Sequence, residues 1–145
     1  MSHLRISSNP ISSDLIPYGT ADIILSVEPM ESLRYLNYLA KTGWVITNTK
    51  SFENINNYPD YEKLINTIKE LPQRVFIDAD EIAHEAGSVK SSNMVMLGAS
   101  VPFLKLSVES IEQGISSIFA SKGKEIVELN LKAMKMGMDY SVSAR

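Results

Sequence analysis

Residues 21–48 read ADIILSVEPMESLRYLNYLAKTGWVITN, and this stretch decides the fold class. Ile23, Ile24, Leu25 and Val27 form a nearly unbroken apolar run, the pattern of a parallel strand covered on both faces. Pro29 suits the first turn of a helix, where a missing N–H costs little. Met30, Leu33, Leu36 and Leu39 recur every third residue, with Tyr35 and Ala40 widening an apolar helical face. Gly43 fits the helix stop, and Trp44, Val45 and Ile46 open a second strand. A strand–helix–strand unit of this kind crosses over right-handedly and commits the chain to a parallel sheet.

Downstream, Asn54, Asn56 and Asn57 mark a polar connection, and Tyr58-Pro59 leads into a helix over 60–71. Tyr61, Leu64, Ile65 and Ile68 supply its buried stripe, and Pro72 ends it. Residues 74–77 form the next strand. Asp78 and Glu81 have the capping-box spacing in an acidic form, opening a helix through Ala86 that Gly87 closes. Residues 91–104, SSNMVMLGASVPFL, predict a helix apolar on most sides. Gly98, Ala99 and Ser100 would let a neighbouring backbone approach closely, and Pro102 shortens the end. Ser107 caps a helix carrying Ile111, Ile115, Ile118 and Phe119 on one face. The last helix, from about Lys122, aligns Val127, Leu131, Met134 and Met138, while Gly137 and the closing SVSAR read as a fraying end.

Upstream, Leu4 and Ile6 alternate with His3, Arg5 and Ser7 as a short strand. Residues 7–20 read as a loop, in which Leu15, Ile16 and Tyr18 are apolar enough to pack against something. The expectation is an α/β fold: a three-layer, Rossmann-like parallel sheet with helices on both faces and a helical C-terminus, in a single domain over 1–145.

The chain has 145 residues, enough for one domain, and 44% apolar content can build an ordinary core. Its 14 Lys and Arg against 17 Asp and Glu leave a formal charge of −3, which argues against a nucleic-acid or anionic-membrane surface. No apolar run approaches a membrane span, and the N-terminus lacks a secretory pattern, so a cytoplasmic protein is expected. Zero cysteines exclude disulfides, thiolate metal sites, ordinary iron–sulfur ligation and cysteine catalysis within the chain.

Ligands of open parallel sheets gather at the carboxyl ends of strands, which places Glu28, Asn48 and Asp78 on one candidate rim. The competing reading is that Glu28 and Asp78 simply favour helix N-termini. Asp78, Asp80, Glu81, His84 and Glu85 resemble a metal cluster, but a zinc site needs converging ligands and no second histidine is near. A solvated first turn accounts for them. His3 and Arg5 could together meet a carboxylate or phosphate, or could face solvent from an edge strand. The methionines suit core or interface packing. No G-x-G-x-x-G, P-loop or serine nucleophile elbow occurs, and no residue reads as catalytic.

Three motifs carry a resemblance. The first is Leu15-Ile16-Pro17, Gly19 and Ala21-Asp22, followed by Glu28-Pro29, Glu31 and Leu33 to Leu36. The second is Asn93, Val95 and Leu97-Gly98-Ala99, and the third is the closing helix with Glu128, Asn130, Ala133 and Gly137. Together, from Ser2 to about Gly137, the chain resembles the gamma-type subunits of 2-oxoacid:ferredoxin oxidoreductases, most like the beta subunits of the indolepyruvate type. The resemblance implies a complex that oxidatively decarboxylates 2-oxoacids, such as indolepyruvate and other arylpyruvates, to acyl-CoA with ferredoxin as electron acceptor. It implies thiamine diphosphate and iron–sulfur clusters in a large partner subunit, none in this chain, and an isolated chain that is inactive. The chain's own role is then structural or coenzyme A-associated, with Glu28, Asn48, Asp78, Asn93, His3 and Arg5 as candidate ligand contacts. The family's opening glycine-rich G-x-G-G-Q-G turn has no counterpart here, so the domain is expected to be incomplete at its N-terminus. Exposed sheet surface and association into homo-oligomers would follow. The alternatives are a stand-alone Rossmann-like ligand-binding or interaction module and, disfavoured by the missing glycine fingerprint, a nicotinamide-dependent dehydrogenase.

Overall fold

The computed structural model describes residues 1–52 and 58–144. Asn54, Asn56 and Asn57, read as a polar connection, lie outside the described residues.

Three parallel strands, β1 (Ala21–Ser26), β2 (Leu39–Asn48) and β3 (Arg74–Ile77), form a sheet in the order β1-β2-β3 among the described residues. Helices α1 (Pro29–Arg34) and α2 (Tyr61–Glu70) alternate with them, and α3 (Ala79–Ala86), α4 (Ser92–Ser100), α5 (Val108–Phe119) and α6 (Lys124–Ser143) follow. Strand alternation divides the core. Phe76 faces Leu64, Ile65 and Ile68 of α2, with Met30 and Leu33 of α1 alongside. Ile46, Val75 and Ile77 face Ala79, Ala83, Val95, Met96, Ala99 and Ala133 of α3, α4 and α6. These are the expected three layers, and Trp44 extends the second by stacking on Phe103 with ring centroids 4.2 Å apart. Val101, Ile111, Ile115 and Met134 tie α5 to α6.

The helix ends follow the sequence signals closely. Asp60 accepts from the Lys63 N–H, Asp78 from the Glu81 N–H and Ser107 from the Ser110 N–H, each as the cap of the helix it precedes. Gly87 closes α3 at φ 115°, a left-handed conformation that glycine adopts without strain.

Tyr61, read into the buried stripe of α2, is exposed at the helix start and donates to the Thr49 carbonyl oxygen, and the structure departs from the sequence reading in five further places. The helix after β1 is short: α1 ends at Arg34, a 3-10 turn spans Leu36–Tyr38, and Leu39 is already in β2. The strict spacing of three is the repeat of a 3-10 turn, not of an α-helix. Gly43 therefore stops nothing. It sits inside β2, where the register jumps from Ala21 opposite Leu39 to Ile23 opposite Trp44. A Cβ there would lie 2.6 Å from Leu39 Cδ1 and 2.8 Å from the Ala21 carbonyl oxygen, so the bulge requires glycine.

Second, β1 is not covered on both faces: Leu25 is 46% exposed and, just beyond the strand, Val27 is 64% exposed. Third, His3 to Ser7 form no strand, and no regular element precedes Ala21. With no neighbouring strand to pair, Leu4 and Ile6 stay exposed, as do Leu15 and Tyr18, while Ile16 is half-buried. Fourth, Ile118 is 72% exposed. Its spacing keeps it on the face of Ile111 and Ile115, so the change at the last turn of α5 lies in the cover over that face and not in the helical phase. Fifth, Gly137 does not fray. It is buried inside α6, and Ser141 beyond it donates a 2.8 Å hydrogen bond to the Ala99 carbonyl.

Gly98 and Gly137 mark the crossing of α4 and α6. A Cβ on Gly98 would fall well inside contact distance of the Met134 carbonyl oxygen, and one on Gly137 inside that of Val95. Backbone meets backbone at both points, and neither side can withdraw. Gly98→Ala should therefore destabilise the fold by about 3 kcal/mol, measured by thermal or urea unfolding. Gly114, exposed in α5 with open space around its Cα, is the contrast. Gly114→Ala should stabilise by about 1 kcal/mol through helix propensity alone.

Candidate functional site

The topology brings Glu28, Asn48 and Asp78 to one rim, just past β1, at the last residue of β2 and just past β3. Their side chains are all engaged by the fold, Glu28 and Asn48 buried and Asp78 half-buried. Glu28 is buried, and its carboxylate accepts from the Glu31 N–H at 2.9 Å and from the Tyr58 hydroxyl. It closes the N-terminus of α1 and pins the segment entering α2. Asn48 is also buried; its Oδ1 accepts from the Ala79 N–H at 3.0 Å and its Nδ2 donates to Asp80 at 2.9 Å. Lys50 stands 3.9 Å from the other Asp80 oxygen. Asp78 accepts from the Glu81 N–H at 2.9 Å. The end of β2 is thereby stitched to the first turn of α3.

This arrangement bears on anion binding. A helix N-terminus attracts phosphate through free N–H groups and a positive dipole end. At α1 and α3 a carboxylate already occupies that position. The rim residues present do not fit a phosphate group such as those of coenzyme A. Iron–sulfur ligation asks for thiolates, and the chain has no cysteine, so its residues do not fit that group either. Among the described residues, no three His, Asp or Glu side chains converge on a metal-sized space.

His3 and Arg5 lie elsewhere, in the N-terminal segment. His3 Nδ1 accepts from the Ile16 N–H at 2.8 Å, and its ring meets Tyr38 edge-on with centroids 5.3 Å apart. Arg5 donates to the carbonyl oxygens of Ser13 and Leu15. Both residues fold the segment back on itself. Asn93 is exposed on the first turn of α4, apart from both groups.

Between this segment and β1 runs a groove of about 300 Å³, lined by His3, Ile16, Ile24, Val27, Glu28 and Tyr38 among others. A shallower hollow of about 350 Å³ adjoins it at Arg5, Leu15 and Tyr18. His3 and Glu28 are thus the sequence candidates that share a cavity. The hydrogen bond between the Tyr38 and Tyr18 hydroxyls holds Tyr38 above its ordinary pKa, with desolvation and the neighbouring phenols acting in the same direction. Sequence reasoning missed Tyr58, Tyr38 and Asp80 as partners. Glu28 and Tyr58 are thirty residues apart, and no spacing rule links them.

Comparison with known proteins agrees with this architecture. Residues 1–140 match the Pyruvate ferredoxin/flavodoxin oxidoreductase family. The chain is 37% identical, over 99% of its length and 73% of the relative's, to the indolepyruvate oxidoreductase subunit IorB of Archaeoglobus fulgidus. It is 36% identical to the IorB subunit of Pyrococcus horikoshii, over 86% of this chain and 65% of that one. Among solved structures, 2-oxoglutarate:ferredoxin oxidoreductase from Magnetococcus marinus superposes with a TM-score of 0.67 at 19% identity. That match covers 94% of this chain and 22% of the other, a likeness of fold. The family match and the two archaeal relatives together place the chain: it belongs to the pyruvate ferredoxin/flavodoxin oxidoreductase family.

Proposed function

We propose that this chain is the structural subunit of a complex that oxidatively decarboxylates 2-oxoacids to acyl-CoA, with ferredoxin as electron acceptor. The observation that carries the reading is the 37% identity over 99% of the chain to a subunit named for indolepyruvate oxidation. Indolepyruvate and related arylpyruvates are accordingly the substrate class. Thiamine diphosphate and the iron–sulfur clusters are assigned to a large partner subunit, in keeping with a chain that has no thiolate to offer. The carboxylate caps at the rim support a structural role over direct coenzyme A contact, since the diphosphate would meet Glu28 and Asp78.

Co-expression of this chain with the large thiamine-containing subunit tests the proposal. The two should purify together and reduce ferredoxin only when indolepyruvate and coenzyme A are both present, faster than with pyruvate or 2-oxoglutarate. A large subunit that is fully active alone and does not retain this chain would refute it.

The structural role of Glu28 has its own check. Tyr58→Phe removes one donor to a buried carboxylate and should lower stability by about 1–3 kcal/mol in urea unfolding. The assembled complex should keep its KM for coenzyme A unchanged. A raised KM with unchanged stability would instead make Glu28 a ligand contact.

A further inference from the structure

We draw no further inference here: the strongest candidate, the groove of about 300 Å³ between the N-terminal segment and β1, presents an apolar margin at Leu25 and Val27, and nothing in the structure shows what covers it.

Discussion

The crossing of α4 and α6 is the constraint on which the rest of the structure depends. At Gly98 and Gly137 two helices touch through their main chains, because neither residue carries a Cβ to hold them apart. That approach lets Val95, Met96, Ala99, Ala133 and Met134 bury completely, and Ser141 then reaches the Ala99 carbonyl. The α4 face so formed packs on Ile46, Val75 and Ile77 and holds one whole side of the sheet. Small residues serve here through contact distance rather than flexibility.

The opposite end of the molecule is organised by charge. Each strand end delivers a polar side chain to a helix start: Glu28 to α1, and Asn48 with Asp78 to α3. These bonds satisfy N–H groups that would otherwise be orphaned near the sheet, and they favour the helix dipoles. They also make the rim acidic, at the place where related sheets commonly receive ligands. The same residues that stabilise the fold therefore disfavour an anion there, which is the physical ground for reading this chain as scaffold rather than as the catalytic partner.

The exposed margin of β1 contrasts with both. Leu25 and Val27 belong by composition to a buried strand yet face outwards, and the N-terminal segment beside them is held mainly by its own side chains. Burying that margin would remove apolar surface from water.

Much of the fold was legible in the chain because local chemistry decides it. Asp60, Asp78, Gly87 and Ser107 announce helix ends through bonds made within a few residues, and the apolar repeats of α2 and α6 need only the helical period. The resemblance carried by Leu15 to Leu36 likewise lies in the order of residues alone. What failed depended on neighbours distant in sequence. Whether Ile23 to Val27 would be covered turned on what packs against the faces of β1, and whether Gly43 would stop a helix or permit a bulge turned on Leu39 pairing with Ala21. The site divided in the same way. The acids at strand ends were visible, but their engagement by Tyr58 and Ala79 joins residues about thirty apart, and only the packed sheet and helices bring those together. The sequence by itself determined the elements and the family. The tertiary structure decided which surfaces are left open and which carboxylates are already occupied, since burial and long-range hydrogen bonding exist only once the layers have packed.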